Sequence, residues 1–96
     1  MTIVAETHAV LDRSLDLHPQ VALRPEPFGA LAYHYDTRRL VFLKHPDVRR
    51  LVEVLCDHAT VRDALVACQI ATSRWPAFEL AITSLIESEM LHDRTR

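Results

Sequence analysis

Glycine is almost absent from this chain of 96 residues, which contains a single one, Gly29. Phosphate-binding loops of the P-loop and dinucleotide types need several glycines, because their backbone N–H groups must approach the phosphates closely. The sequence therefore excludes nucleotide-binding proteins built on such loops.

Cysteines and long apolar runs are also scarce. Cys56 and Cys68 lie 12 positions apart, so they form neither a CxxC metal pair nor a disulfide framework. Both extend apolar helical stripes, and we expect both thiols to be small buried hydrophobic groups. Charged side chains interrupt the first 16 residues, which leaves no signal-peptide core and no membrane span there. We expect a cytoplasmic protein with no membrane partner.

Positive charge is not in excess. Eleven Lys and Arg residues stand against 13 Asp and Glu residues, for a net charge of −2, whereas nucleic-acid-binding domains usually present a clustered basic face. The doublets Arg38–Arg39 and Arg49–Arg50 would suit the wing and a helix of a winged-helix DNA-binding regulator, which is the alternative function. However, the predicted third helix carries Glu79, Glu87 and Glu89 without any Lys or Arg, so it would repel phosphate. Nucleic acid is not expected as a partner.

The sequence shows no catalytic or metal-binding motif. Catalysis usually needs a nucleophile with a base, or two carboxylates held apart in a site that excludes water. No two of the six histidines have the HxxxH spacing that places two imidazoles on one helix face, and we expect them to be scattered over the surface. Cys56, His58 and Cys68 are the one trio that a small metal-dependent enzyme could use, but both cysteines extend apolar stripes. We therefore predict a protein that is not an enzyme and has no metal or cofactor.

Three short strands are predicted in the first half of the chain. Val21–Arg24 alternates along its length before Pro25, which has no N–H to donate to a ladder. Gly29–Tyr35 has a period of two with aromatic enrichment, which is the clearest strand signal in the chain. The polar loop Asp36–Arg39 then leads into the short apolar run Leu40–Leu43. The three strands follow one another as a meander.

Three helices are predicted in the second half. Pro46 suits the first turn of a helix, and the four apolar residues that follow recur at helical spacing. Thr60 and Asp63 resemble a capping box at the start of a second, short helix. Trp75 and Pro76 open a third segment with apolar residues at helical spacing. The fold class is therefore α+β, a three-stranded antiparallel sheet followed by three helices.

The strand Leu40–Leu43 is apolar on both faces and lies at an edge of the meander. An edge strand has unpaired N–H and C=O groups that can pair with an extended peptide, and nearby helix side chains would provide selectivity. The alternative is that another element covers this edge. The residues favour a peptide-binding module, and an open edge also permits a homodimer.

The segment His18–Tyr35, with Thr37–Leu40 and Phe42–Lys44, resembles the mycofactocin-system peptide chaperones. These belong to the PqqD-like RiPP recognition elements, RiPP meaning a ribosomally made and post-translationally modified peptide. The resemblance extends from about residue 18 to residue 91, with Glu89 where a helix-ending glycine is expected. It implies a winged-helix-like peptide-recognition domain at 18–92. The weak patterning before it predicts a flexible N-terminal segment at 1–17, and the polar residues after it predict a tail at 93–96.

The resemblance also implies a function. Such a chaperone is not a catalyst: it binds the leader of the mycofactocin precursor peptide as an added antiparallel strand and presents it to a radical SAM maturase. This chain lacks the CxxxCxxC cluster motif of the maturase itself. The implied site residues are Leu40, Val41, Phe42 and Leu43 for strand pairing, and Phe78, Ile82, Leu85 and Ile86 for the apolar wall of the groove. Arg38 and Arg39 would steer an acidic leader toward the site.

Overall fold

A computed structural model of the chain describes residues 10–94 and shows the predicted order of a three-stranded meander followed by three helices. The strands are β1 (Leu15–Leu17), β2 (Val21–Glu26), β3 (Gly29–His34), β4 (Leu40–Leu43) and β5 (Leu91–Asp93). The helices are α1 (Pro46–Val54), α2 (Val61–Ala67) and α3 (Trp75–Glu87). Short 3-10 turns lie at Val10–Asp12, Leu55–Asp57 and Thr72–Arg74. None of the helices within this part of the chain is long and apolar enough to cross a membrane.

The main sheet is antiparallel with the order β2-β3-β4, so β4 is an edge strand, as predicted. One face of this sheet packs on the helices. Ala30 and Ala32 of β3 and Leu43 of β4 are buried there, together with Leu51 of α1 and Ile82 of α3. The opposite face of the sheet leaves large apolar side chains exposed.

The helix starts follow the local signals in the sequence. Pro46 is the first residue of α1, and the His45 side chain accepts a hydrogen bond from the N–H of Asp47. The Thr60 hydroxyl accepts a hydrogen bond of 3.1 Å from the N–H of Asp63 at the start of α2. Both contacts satisfy backbone donors that have no partner within the helix.

Two helices end in a left-handed residue that is not glycine. Gln69 after α2 has φ 61° and Glu89 after α3 has φ 65°. The residue after each of them donates its backbone N–H to a carbonyl in the last turn of the helix. Met90 donates to the carbonyl of Leu85 at 2.8 Å, and Ile70 donates to the carbonyl of Leu65 at 3.1 Å. This is the Schellman pattern, in which glycine is the favoured residue because it lacks a Cβ. Glu89 thus takes the conformation for which a glycine was expected.

A second, two-stranded sheet was not predicted. β1 pairs with β5 in antiparallel register, Leu15 facing Asp93. Arg13 closes this sheet with two hydrogen bonds of 2.9 and 2.8 Å to the Asp93 carboxylate. Val10 and Leu11 are buried as well. The part of the expected flexible segment that the structure describes, residues 10–17, is therefore packed; residues 1–9 of that segment and 95–96 of the expected tail lie outside the described residues.

Three histidines lie together, which corrects the expectation that the histidines are scattered over the surface. His34 is buried, and its Nδ1 accepts hydrogen bonds from the N–H groups of Asp36 and Thr37 at 3.2 and 3.3 Å. Its ring centroid is 4.6 Å from that of His18, which is 5.3 Å from that of His92. Sequence spacing could not show this cluster, because its members come from three different parts of the chain. Within residues 10–94, no three His, Cys, Asp or Glu side chains are arranged to hold a metal ion.

Candidate functional site

The edge strand β4 has backbone groups that point away from the sheet. The N–H of His34 donates to the carbonyl of Arg39 at 3.0 Å, and in the antiparallel register Val41 faces Ala32. Hydrogen-bonded pairs alternate along such a ladder, so Val41 is bonded to β3. Phe42, one position further, therefore directs its N–H and C=O outward, and so does Leu40. Within residues 10–94, no strand pairs with this edge.

The opposite edge of the sheet, β2, is blocked. Tyr35 donates to the carbonyl of Gln20 at 2.8 Å, and by the same alternation Leu23 and Pro25 of β2 point outward. Pro25 has no N–H, so it interrupts the row of donors that an incoming strand would need. Proline on an edge is a common way to prevent strand addition. Of the two edges of this sheet, β4 is therefore the one with an uninterrupted row of donors.

A groove runs between β4 and α3. It has a volume of about 260 Å³. Its lining residues are Val41, Phe42, Leu43, Lys44, His45, Val48, Ala81, Ser84 and Leu85. The three lining residues on α3, Ala81, Ser84 and Leu85, are positions i, i+3 and i+4, which share one helix face. The short side chains of Ala81 and Ser84 leave the space that the groove occupies.

Of the four predicted wall residues, Leu85 lines the groove. Phe78 and Ile82 are buried in the core, with 4% and 0% of their surface exposed, and Ile86 is half-buried against the same core. The most apolar face of a helix is the one that packs on the core, and three of the four wall residues that the resemblance implies lie on that face of α3. The groove residues that the sequence analysis missed on α3 are Ala81 and Ser84, whose small size is the only signal they carry.

The predicted pairing residues lie on two faces of β4. Val41 is half-buried and Leu43 is buried on the groove side. Leu40 and Phe42, at 51% and 53% exposed, lie on the other face. The Phe28 ring meets that of Phe42 edge to face at a centroid distance of 5.9 Å. Phe28 follows Pro27 in the tight turn between β2 and β3, and the sequence analysis did not predict it as a site residue.

This aromatic pair, Phe28 and Phe42, borders a second hollow of about 310 Å³ together with Lys44. Lys44 thus lies between the groove on one face of β4 and this hollow on the other. Within residues 10–94, neither Lys44 nor the doublet Arg38 and Arg39 forms an ion pair with a carboxylate. The surroundings of the open edge are therefore apolar with free positive charge at both ends of β4.

The two arginines of α1, Arg49 and Arg50, contact acidic or carbonyl groups of the chain itself. Arg50 pairs with Asp47 at 3.2 Å and donates to the Cys68 carbonyl at 2.7 Å. Arg49 lies 3.9 Å from Glu53. These contacts reduce the charge that the doublet could offer to phosphates, which weakens the alternative of a DNA-binding regulator.

A further groove of about 400 Å³ lies on the β2 side of the molecule, between β1, β2 and α1. Cys56 is exposed and lines it, with Glu53 and Asp16 nearby. The expectation that Cys56 is buried is therefore wrong, because the chain leaves α1 for a 3-10 turn that points this residue outward. Cys68 is buried, as expected.

The comparisons with known proteins agree on one family. The profile of the family described as "Peptide chaperone MftB family" matches residues 14–92. "Peptide chaperone MftB" of Mycolicibacterium smegmatis is 48% identical over 80 residues, covering 83% of this chain and 78% of that protein. The protein of the same name from Mycobacterium tuberculosis is 42% identical over 83 residues, covering 86% of this chain and 76% of that one. No solved structure gave a significant match. The chain therefore belongs to the peptide chaperone MftB family, and the role in that name, peptide chaperone, is a non-catalytic one.

Proposed function

We propose that this chain binds the leader of a ribosomally made precursor peptide, the mycofactocin precursor, by strand addition along β4 and presents it to a radical SAM maturase. The observation that carries the proposal is the open edge of β4 beside an apolar groove. Leu40 and Phe42 direct their backbone groups outward along this edge. The leader would become a fourth, antiparallel strand of the main sheet.

The two parts of the site would contribute differently to recognition. Backbone hydrogen bonds to Leu40 and Phe42 would hold any extended peptide, because they involve no side chain. Selectivity would come from the groove, where Val41 offers apolar surface, the almost fully buried Leu85 lines the groove and Ala81 leaves room for a leader side chain. The free positive charge of Arg38, Arg39 and Lys44 would accelerate the encounter with an acidic leader.

Presentation to the maturase would act through effective concentration. A leader bound at β4 leaves the remainder of the precursor peptide tethered near the enzyme that receives the chaperone. The encounter of that remainder with the enzyme then becomes intramolecular, at millimolar effective concentration for a short flexible link. The chaperone itself needs no catalytic group for this role. A homodimer that paired through two β4 edges would occupy the same backbone groups and would compete with the leader.

Isothermal titration calorimetry tests the proposal directly. The full chain is titrated with the mycofactocin precursor peptide and with the same peptide lacking its leader. We expect one-to-one binding of the complete peptide and no binding of the shortened one. Equal binding of both peptides, or no binding of either, would rule out leader recognition. Sedimentation velocity of the free chain and of the mixture separates a heterodimer from a homodimer.

A further inference from the structure

We infer that the leader is recognised on both faces of the added strand, with the aromatic pair Phe28 and Phe42 forming a second side-chain subsite opposite the groove. The inference rests on the proposed strand addition and specifies the class of peptide that this site accepts. It is carried by two concave surfaces: the groove on one face of β4, and the hollow beside Phe28 and Phe42 on the other face.

Strand geometry decides where each leader side chain goes. Residues directly opposite one another on antiparallel strands point their side chains to the same face of the sheet. The leader residue opposite Phe42 therefore lies on the face of the aromatic pair. Its neighbours on either side, opposite Val41 and Leu43, lie on the groove face because successive side chains alternate.

The face of the aromatic pair suits an apolar leader residue. Phe28 is 41% exposed and Phe42 is 53% exposed, although both are large apolar side chains next to an open edge. Their edge-to-face arrangement leaves a hollow bounded by the two rings and Lys44. An aliphatic or aromatic side chain that entered this hollow would remove the exposed ring surface from water, which is favourable.

Lys44 predicts a negative charge at one end of the bound leader segment. It lies at the end of β4 and borders both the groove and the hollow. Within residues 10–94 no carboxylate pairs with it. In an antiparallel leader, the residue opposite Lys44 lies two positions before the residue opposite Phe42. A carboxylate at that position would supply the missing partner.

The accepted peptide class follows from these placements. Read from its N-terminus, the leader presents an acidic residue and then three successive apolar residues, whose side chains enter the groove, the aromatic hollow and the groove again. This pattern differs from that of a strand gripped on one face only, in which apolar residues would alternate with residues of any kind.

The test is an alanine scan of a synthetic mycofactocin precursor leader, with affinities measured by fluorescence anisotropy against the full chain and its Phe28→Ala variant. We expect alanine to weaken binding to the original chain at the acidic leader residue and at each of the three consecutive apolar positions that follow it. Phe28→Ala should weaken binding of the unaltered leader about three- to tenfold, the range of a single aromatic contact. The middle position should lose its sensitivity in Phe28→Ala while its two neighbours keep theirs, because only the middle side chain contacts Phe28.

Tyr35→Ala is the matched control. Tyr35 is 57% exposed and its ring lies edge to face with Tyr33, but its backbone N–H bonds Gln20 on the β2 side of the sheet. Its truncation should leave leader affinity unchanged. A charge exchange extends the test: Lys44→Glu should weaken binding, and a leader with lysine in place of its acidic residue should restore it.

Several outcomes would overturn the inference. Sensitivity at every second position, or equal affinities of Phe28→Ala and the original chain, would show that one face alone is read while the proposed strand addition stands. If Phe28→Ala changed only self-association or the capture of the maturase, the aromatic pair would belong to that interface instead. Absence of any leader binding would overturn both the inference and the proposed function.

Discussion

Gly29 lies directly against the carbonyl group of Leu43, so closely that a Cβ atom on residue 29 would overlap its oxygen. The same Cβ would come within 3.0 Å of the backbone nitrogen of His45, and Gly29 has φ +149°, a conformation that side chains rarely allow. The one glycine of the chain therefore sits where β3 begins, against the end of β4 and the start of α1. This close approach sets the position of the edge strand at which we place the leader.

Replacing Gly29 with alanine should destabilise the chain strongly. The added methyl group meets backbone atoms that cannot rotate away, and the backbone conformation is strained for any residue with a Cβ. We expect a loss of about 3 kcal/mol or more in the free energy of unfolding, measured by urea denaturation. A Gly29→Ala variant with the original midpoint would show that β4 can move away from β3 without cost.

Glycine at either left-handed helix end should have the opposite effect. Glu89→Gly and Gln69→Gly remove the Cβ from residues with φ of 65° and 61°. We expect each to raise the free energy of unfolding by about 0.5 to 1 kcal/mol, the strain relief being partly offset by the greater freedom of glycine in the unfolded chain. Ala71→Gly is the control, since Ala71 has φ −62° and gains no relief. Destabilisation by Glu89→Gly would contradict the Schellman geometry.

The ion pair that joins β1 to β5 should make stability depend on pH. The hydrogen bonds from the Arg13 guanidinium hold the pKa of Asp93 below its ordinary value. A carboxylate with a lowered pKa in the folded state stabilises it above the pKa of the unfolded chain, and this contribution disappears as the pH falls through the folded-state value. Asp93→Asn should cost about 0.5 kcal/mol at pH 7, as expected for a solvent-exposed pair, and nothing at a pH where Asp93 is protonated.

Asp36→Asn is the control for this experiment. Asp36 is exposed, and within the described residues it has no ion pair. Its substitution should cost less free energy of unfolding at pH 7 than Asp93→Asn, because it removes no ion pair. A cost of Asp93→Asn that remained constant down to acid pH would mean that the charge of Asp93 plays no part.

The outward N–H of Phe42 should contribute to leader affinity separately from its ring. Phe42→Ala removes the ring, whereas Phe42→Pro removes both the ring and the N–H. We expect the proline variant to bind the precursor peptide about three- to tenfold more weakly than the alanine variant, which is the net value of one hydrogen bond. Val41→Pro should instead disrupt the main sheet, because the N–H of Val41 faces Ala32. Circular dichroism checks that both Phe42 variants remain folded.

The elements that the sequence predicted correctly are those determined by contacts between residues close together in the chain. Pro46 and Thr60 start α1 and α2 through contacts within a few residues, and the alternation before Tyr35 marks β3. The order of the main sheet follows from short connections between neighbouring strands.

The features that the sequence did not predict depend on contacts between distant segments. β1 and β5 have three residues each, too few for a periodic pattern, and they come from opposite ends of the described chain. The groove face of α3 is set by Ala81 and Ser84, which periodicity ignores because they are small. Phe28 could not be assigned to the proposed site from the sequence, because it is the turn after β2 that places its ring against Phe42.

Amide hydrogen exchange measured by NMR tests the central claim most directly, because strand addition must engage particular N–H groups of β4. In the free chain, the N–H groups of Leu40 and Phe42 should exchange quickly, whereas those of Val41 and Leu43 are protected by β3. With saturating leader peptide, Leu40 and Phe42 should become protected while Leu23 on the β2 edge keeps its rate. A bound leader that leaves the exchange of Leu40 and Phe42 unchanged would contradict strand addition at this edge.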